Sequence, residues 1–305
     1  MIVSASYRTD IPAFYAGWFL RRLDEGFALV RNPYSAQMYR VDLRPQRVTG
    51  FVFWTRNFGP LLEQLDRLRS FGRPFVVQFT ITDYPRQIEP AVIPAEKAVA
   101  QMRRLAREAH PLCPVWRYDP VLFTSLTPPE FHERNFARLA AALEGATDEA
   151  VISFAQIYAK SRRNLDAAAR RHGFTWADPP DEAKRELAAR LARLARERGM
   201  RLTVCSQPHL LAPGAEEARC VDVRRLARIS GEPLEAPLKG NRPGCACHES
   251  RDIGEYDTCP HGCLYCYAVR HRRVALARYR AHDPASPSLL PLADEPPAPL
   301  PLLAP

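Results

Sequence analysis

The stretch Phe75-Val76-Val77-Gln78-Phe79-Thr80-Ile81 is an apolar run rich in β-branched and aromatic residues, and together with the next two elements of the chain it decides the fold class. Glu96–Ala109 places apolar side chains at the three- and four-residue spacing of an amphipathic helix. Val115–Tyr118 is again an apolar run typical of a strand. A strand, a helix and a strand in this order predict a parallel βαβ unit with a right-handed crossover.

The same alternation extends over the first two thirds of the chain. A second helix is predicted over Glu182–Arg198. Thr127-Pro128-Pro129-Glu130 predicts a helix start with an N-cap, a proline at N1 and a capping-box Glu, and Asp178-Pro179 predicts another in the same way. Six or seven such units predict an α/β fold of parallel strands, a complete or partial TIM-barrel-like domain. A doubly wound open sheet is the alternative, because periodicity does not separate the two. The other predicted strands are Ile2–Tyr7, Phe27–Arg31, Gly50–Trp54, Val151–Ile157 and Arg201–Cys205.

The composition changes after about residue 230, where Pro, Gly and Cys become frequent and regular alternation stops. We therefore expect residues 1–230 to form the barrel-like domain. Residues 231–283 are expected to form a cysteine-rich, metal-binding appendage that packs on it. The Pro-rich residues 284–305 lack a hydrophobic period and are expected to be a disordered or loosely packed tail.

Composition and charge narrow the class of protein. The chain has 46% hydrophobic and 25% charged residues, and this composition excludes a largely disordered protein. The net charge of +9 comes mostly from Arg spread over Ala- and Leu-rich helices, which is typical of a solvated surface. No apolar run reaches the roughly 18 residues of a membrane span, and the first residues read as a strand, so we expect a cytoplasmic protein without membrane partners.

The sharpest motif is Cys259-Pro-His-Gly-Cys263-Leu-Tyr-Cys266. Three thiolates at C-x3-C-x2-C spacing can bind a [4Fe–4S] cluster and leave the fourth iron without a protein ligand. This spacing, with an aromatic residue such as Tyr265 before the last cysteine, resembles the signature of radical S-adenosylmethionine (SAM) enzymes. A zinc site is the alternative, although zinc usually takes four ligands in C-x2-C pairs.

Four further cysteines, Cys205, Cys220, Cys245 and Cys247, are candidates for a second metal site. Four thiolates can hold an auxiliary iron–sulfur cluster or a zinc ion. Alternatively, Cys205 and Cys220 are buried small hydrophobic residues. Cys113 is expected to be structural.

From Ile2 through Asp283 the chain resembles the bacterial family known as domain of unknown function 1848. The residues that carry the resemblance are Ser4–Pro12, Phe53–Asn57, Trp116–Pro120, Ser153–Lys160, Cys245–Gly254, Tyr256 and the Cys259 motif. The family implies a C-terminal cysteine cluster similar to the radical SAM one, with no reaction attached. In radical SAM enzymes the cysteines usually follow the first strand, whereas here they come near the end, and a circularly shifted order would place them over the same barrel mouth.

Polar residues follow the predicted strands, where barrel enzymes keep their chemistry. Arg can bind carboxylates or phosphates, and Asp, Tyr and Lys can transfer protons. The candidate catalytic residues are Arg8, Asp10, Arg117, Asp119, Tyr158 and Lys160. The candidate cofactor-binding residues are Trp54, Thr55, Asn57 and Gln78.

Together these features predict a radical SAM-like enzyme that holds a [4Fe–4S] cluster, binds SAM and acts on an unknown small-molecule or macromolecular substrate. A reductant such as flavodoxin or ferredoxin would supply electrons. One alternative is an iron–sulfur protein that does electron transfer or Lewis-acid chemistry without SAM. Another is a nucleic-acid-binding or repair protein, since Cys263-Leu-Tyr-Cys-Tyr-Ala268 also resembles relatives of spore photoproduct lyase and Arg270–Arg280 is basic. The last alternative is a non-enzymatic binding protein whose cysteines hold a structural zinc ion.

Overall fold

Strands and helices alternate along residues 1–291, which are the residues described by the computed structural model. The strands are β1 (Ile2–Ala5), β2 (Phe27–Arg31), β3 (Met38–Asp42), β4 (Gly50–Thr55), β5 (Phe75–Thr80), β6 (Pro114–Val121), β7 (Phe123–Thr124), β8 (Glu149–Phe154), β9 (Trp176–Ala177), β10 (Arg201–Val204), β11 (Ala215–Glu217) and β12 (Ser250–Asp252). The helices are α1 (Ile11–Phe14), α2 (Ala16–Glu25), α3 (Gly59–Leu62), α4 (Leu65–Ser70), α5 (Ala95–Glu108), α6 (Pro129–Leu143), α7 (Ala159–His172), α8 (Asp181–Arg196), α9 (Val223–Ser230) and α10 (Arg272–Arg280), with a 3-10 turn over Pro208–Leu210.

Eight strands form one parallel sheet in the order β11-β10-β8-β6-β5-β4-β1-β12. The spatial order follows the chain order, except that β12, the last strand, lies beside β1, the first. Ile2 is aligned with Gly50 on one side and with Ser250 on the other. Among residues 1–291 no strand pairing joins β11 to β12, so the predicted parallel α/β sheet is present and no closed barrel is shown.

The two faces of the sheet differ because successive side chains of a strand point to opposite sides. On one face, residues such as Phe51, Phe53 and Val77 pack against α2, α5, α6 and α8 in the larger apolar core. The other face is a second apolar cluster, whose strand members are Ile2, Val52, Val76, Val115 and Val151. Val221, Val223 and Leu226 of the α9 region, with Cys205, Cys220 and Cys247, cover this second face. Cys205, Cys220 and Cys247 therefore lie on the face of the sheet opposite α2, α5, α6 and α8.

Gly50 shows how closely α9 approaches this second face. A Cβ atom on Gly50 would lie 3.0 Å from both Cδ atoms of Leu226 and 2.9 Å from the Pro74 carbonyl oxygen. Deeper in the same face, Arg225 of α9 pairs with the buried carboxylate of Glu149, with Nη1 3.0 Å from Oε2. Helix α9 thus closes the amino-terminal end of the sheet.

Six predicted strands correspond to β1, β4, β5, β6, β8 and β10 of the main sheet. The prediction that Phe27–Arg31 belongs to a parallel unit is wrong, because β2 forms an antiparallel pair with β3 outside the main sheet. Two strands of the main sheet, β11 and β12, were not predicted. β12 lies inside residues 231–283, so the boundary placed near residue 230 precedes a strand of the main sheet.

The predicted helices are present as α5 and α8, but the expected N-caps are wrong. Helix α6 begins at Pro129 after Pro128, and α8 begins at Asp181 after Pro180, with no side-chain cap at either start. The Thr127 hydroxyl instead donates to the Leu122 carbonyl oxygen at 2.7 Å. Within residues 1–291, no helix combines the length and the apolar character that crossing a lipid bilayer requires.

The first residues of the expected tail pack on the fold. The Trp18 indole donates to the Ser286 carbonyl oxygen at 2.9 Å, and the Leu29 amide donates to that of Pro287 at 2.9 Å. Leu289 is buried in the larger core. The rest of the predicted tail, 292–305, lies outside the described residues.

Candidate functional site

Asp252, the last residue of β12, connects this strand to the loop that follows β1. Its carboxylate accepts hydrogen bonds from the hydroxyls of Ser4 (2.9 Å) and Ser6 (2.7 Å) and from the Tyr7 amide (2.9 Å). It also pairs with Arg8, whose Nε lies 2.9 Å from Oδ1. Both charged side chains are almost fully buried. The predicted catalytic residue Arg8 is therefore bound within the protein by a partner some 240 residues away in sequence.

Residues Cys259–Cys266, the three-cysteine loop, lie at the carboxyl ends of β1, β4 and β5. The Tyr15 hydroxyl donates to the Thr258 carbonyl oxygen (2.8 Å), and the Leu264 amide donates to that of Ile88 (3.2 Å). Gly262 makes the turn inside the loop with φ of +79°, and a Cβ there would lie 2.4 Å from Cδ of Arg272. Glycine is required at this turn, because other residues disfavour this φ and a side chain would clash.

Asp10 holds this loop against the strand ends. Its carboxylate caps α1 through the Ala13 amide (3.0 Å) and accepts from the Thr55 hydroxyl (2.7 Å) and the Arg56 amide (2.8 Å). His261 of the loop places Nε2 2.9 Å from the same carboxylate. The predicted catalytic residue Asp10 and the predicted cofactor-binding residue Thr55 are thus brought together under the three-cysteine loop.

A buried ion pair supports the other side of the loop. Nη2 of Arg56 lies 2.9 Å from Oε1 of Glu89, and both side chains are less than a tenth exposed. The Thr82 hydroxyl donates to Glu89 (2.7 Å) and accepts from Arg56 (3.1 Å). The Tyr265 hydroxyl contacts both charged groups. The aromatic residue of the cysteine motif is therefore anchored by a charged network of the sheet.

The three thiols of the loop are partly buried and interact electrostatically. Burial raises the pKa of Cys263 to about 12 although nearby Arg56 lowers it. Burial and the charges of Asp10, Cys266 and Cys263 raise the pKa of Cys259. The backbone of His261 lowers the pKa of Cys259, and the backbones of Ala268 and Val269 lower that of Cys266. Such backbone interactions stabilise thiolates that bind metal.

Cys205, Cys220, Cys247 and Cys245, the four-cysteine group, follow one another in contact. The Cys205 and Cys220 sulfurs are 3.5 Å apart. The hydrogen bond with Cys205 lowers the pKa of Cys220. The hydrogen bond with Cys247 and burial outweigh this effect and raise the pKa to about 12. The hydrogen bond with Cys247 lowers the pKa of Cys245 to about 6. Residues far apart in sequence thus bring four thiols together beside the ends of β10 and β11.

Arg117 lies next to the four-cysteine group and is almost fully buried. Its Nη1 donates to Sγ of Cys220 at 2.9 Å and to Oε1 of Gln78 at 3.2 Å. Its Nη2 pairs with Asp119 at 2.5 Å. Its guanidinium lies 5.0 Å from the centre of the Trp54 ring. Four of the predicted site residues therefore form one cluster around this guanidinium.

The remaining predicted residues lie elsewhere. The Asn57 amide oxygen accepts from Gln101 of α5 at 2.9 Å, so this side chain faces a helix. Tyr158 is 46% exposed at the start of α7 and contacts Gln156. Lys160 donates to the Tyr267 carbonyl oxygen at 2.8 Å, next to Cys266. Of these three, only Lys160 reaches a cysteine-bearing segment.

Within the described part of the chain, no three His, Cys, Asp or Glu side chains are arranged around a common point that could hold a metal ion. The thiols of either group would have to converge by rotation of their side chains. Two residues that hold the site, Glu89 and Asp252, are not among the predicted site residues. Glu89 lies in an irregular loop without a motif, and Asp252 ends a three-residue strand. The stretch Ser250-Arg-Asp-Ile-Gly254, part of the family resemblance, was the available signal for Asp252.

Comparisons with known proteins identify the family. A search of curated proteins finds no match. A solved structure titled "Crystal structure of D-hydantoinase" is similar at a TM-score of 0.27 and 13% identity, over 53% of this chain and 35% of that one, so the present chain spans about a third of its length. That likeness is too low to carry an argument. Residues 2–268 match the family described as "Domain of unknown function (DUF1848)", and the chain belongs to this family.

Proposed function

We propose that this protein is a radical SAM-like iron–sulfur enzyme, in which Cys259, Cys263 and Cys266 hold a [4Fe–4S] cluster beside a SAM and substrate site. The observation that carries the proposal is the position of the three-cysteine loop at the carboxyl ends of β1 and β4, fixed there by Asp10. Enzymes built on parallel α/β sheets bind their ligands at this end of the strands.

The arrangement of the sheet supports a barrel-like architecture for this site. The main-sheet strands from β1 to β11 follow one another in chain order, whereas the strand order of a doubly wound sheet reverses at a switch point. Helices α2, α5, α6 and α8 pack on one face, and the short helix α9 lies on the other. With β12 beside β1, the loop after the last strand reaches the position that follows the first. This position supports the circularly shifted order proposed from the sequence.

The donor set fits a cluster with one open iron. The loop offers three partly buried thiols, a backbone that lowers the pKa of two of them, and no fourth cysteine between Cys259 and Cys266. The His261 imidazole contacts Asp10 and the Ala91 carbonyl oxygen, so both ring nitrogens have protein partners. When bound at such a cluster, SAM supplies radical chemistry after one-electron cleavage of a C–S bond.

The residues of this chain would bind and orient the reactants. Trp54 offers an aromatic face suited to a planar group, and the buried Arg117 guanidinium, held by Gln78 and Asp119, would orient this ring. Asp119, paired with Arg117, has a partly exposed carboxylate that can exchange protons. Lys160 and Tyr158 lie toward solvent at the start of α7, where a substrate and a reductant such as flavodoxin or ferredoxin would approach.

The nucleic-acid alternative depends on the basic residues Arg270–Arg280, and three of the five arginines in this range contact the segment that carries the three-cysteine loop, which weakens the case for a nucleic-acid surface. Arg270 pairs with Asp257 at 2.8 Å, and Arg272 donates to the Pro260 carbonyl oxygen at 2.9 Å. Arg278 donates to that of Tyr256 at 2.9 Å. These arginines hold the ends of the three-cysteine loop, which is a structural use of their charge.

The experiment that tests the proposal is iron, sulfide and zinc analysis of protein purified without oxygen, with electron paramagnetic resonance of the reduced protein before and after SAM is added. We expect about four iron and four sulfide per chain, a spectrum that changes with SAM, and release of 5′-deoxyadenosine or another SAM fragment under reductant. A cluster whose spectrum does not change when SAM is added would favour electron-transfer or Lewis-acid chemistry. Absence of iron and sulfide from anaerobic material would overturn the proposal.

A further inference from the structure

The four-cysteine group draws its thiols from three separate segments. Cys205 follows β10, Cys220 follows β11, and Cys245 and Cys247 precede β12. All four are free thiols, and three of them are buried. A buried pair of small hydrophobic cysteines would not explain why four sulfurs from three segments meet.

The distance between the first two sulfurs fits one ion better than a cluster, and rotation of the Cys245 and Cys247 side chains would complete the ligand set. Four sulfurs about 2.3 Å from a tetrahedral zinc ion lie about 3.8 Å from one another. The Cys205 and Cys220 sulfurs are 3.5 Å apart, and Cys247 and Cys245 continue the chain of contacts. In a [4Fe–4S] cube each cysteine binds a different iron, which sets the sulfurs farther apart.

Two guanidinium groups and one backbone N–H lie close to these sulfurs. Nη1 of Arg117 lies 2.9 Å from Sγ of Cys220, and Nη2 of Arg242 lies 3.9 Å from Sγ of Cys205. The Val221 amide donates to Sγ of Cys247 at 3.3 Å. A divalent ion with four thiolates carries a net charge of −2, and a buried site of this charge needs such counter-charges and donors.

We propose that Cys205, Cys220, Cys245 and Cys247 bind a single Zn²⁺ ion that joins the two unpaired edges of the main sheet. Each thiol releases its proton to solvent as its sulfur binds the ion. Within residues 1–291, the site lies where β11 and β12 have no strand pairing, and the two segments meet through single bonds such as that of the His248 amide to the Val221 carbonyl oxygen at 2.9 Å. The ion would fix the segment that enters β12, and through it Asp252 and the three-cysteine loop.

The test is zinc analysis of the full chain purified without oxygen, together with Co²⁺ titration of chelator-treated protein. We expect one zinc per chain, and with cobalt the absorption of a tetrahedral tetrathiolate site. C245S and C247S are expected to lose this zinc and the cobalt spectrum. Because the zinc content is measured on the wild-type protein, the test remains valid even if a variant fails to fold.

A matched control separates this site from the proposed enzyme. The triple variant C259A/C263A/C266A is expected to lose its iron and keep its zinc, so the two proposals fail independently. C113A should keep both metals. Zinc-free wild-type protein with folded circular dichroism, or iron and sulfide that persist in the triple variant, would overturn the single-ion assignment.

Discussion

The two groups of cysteines are built in different ways. The three-cysteine loop takes all its sulfurs from eight consecutive residues, and a buried network of Asp10, Arg56 and Glu89 holds it from below. The four-cysteine group takes its sulfurs from residues as far apart as Cys205 and Cys247, and its sulfurs contact one another directly. The position of the three-cysteine loop depends on the polar network beneath it. The four-cysteine group, in contrast, itself connects the segments that carry its sulfurs.

The largest difference is expected when one thiol of the loop is removed. C263A deletes one of only three protein ligands, so we expect loss of essentially all iron and sulfide while zinc content is unchanged. Metal analysis and electron paramagnetic resonance of anaerobic protein measure this. C113A, at a buried cysteine outside both groups, is the control. Full retention of the cluster in C263A would contradict the assignment of this loop.

Asp252 lies between the two groups along the chain, so D252A tests whether they share a support. It leaves the buried Arg8 guanidinium unpaired and removes acceptors for Ser4 and Ser6, and we expect the free energy of unfolding to fall by about 3 to 5 kcal/mol. Denaturant unfolding measures it. D24A removes a carboxylate that pairs with Arg67 at the surface and should cost less than about 1 kcal/mol. Equal effects of the two variants would show that the Asp252 network is not a support.

The contrast between local and distant contacts also explains which strands the sequence could predict. The apolar runs of β1, β4, β5, β6, β8 and β10 predicted the strands, because central parallel strands are buried on both faces. β11 is Ala-Glu-Glu and β12 is Ser-Arg-Asp, three residues each, without an apolar run, because they lie at the edges.

The residues of the candidate site also divide into those that could be predicted from nearby sequence and those whose contacts depend on distant segments. The spacing of Cys259, Cys263 and Cys266 is local and could be read directly. The partners of Arg8 and Arg117 depend on which strands become neighbours. Arg8 pairs with Asp252 and not with nearby Asp10, because β12 adds to the sheet beside β1. The contact between Cys205 and Cys220 likewise results from the pairing of β10 and β11.

A smaller effect is expected from the charge that faces the four-cysteine group. R117Q removes the guanidinium beside Cys220, and we expect the affinity for zinc to fall about 10- to 100-fold, the usual effect of losing a group that supports metal ligands. Competition with a chromophoric chelator measures it, and the iron content should not change. R138Q, at an exposed arginine that pairs with Asp83, is the control. Unchanged zinc affinity in R117Q would remove Arg117 from the zinc site.

The smallest effect is expected at the support of the three-cysteine loop. Y265F removes the hydroxyl that contacts both Arg56 and Glu89 but leaves the ion pair between them and the aromatic ring in place. We expect the free energy of unfolding to fall by about 1.5 to 2 kcal/mol, the lower part of the range for hydrogen bonds to charged groups, because the ion pair itself is retained. Denaturant unfolding measures this, with Y34F at a fully solvated tyrosine as the control. Iron content should be retained and zinc content unchanged, because Tyr265 supplies no ligand; a loss of zinc in Y265F would mean that the two cysteine groups are not held independently.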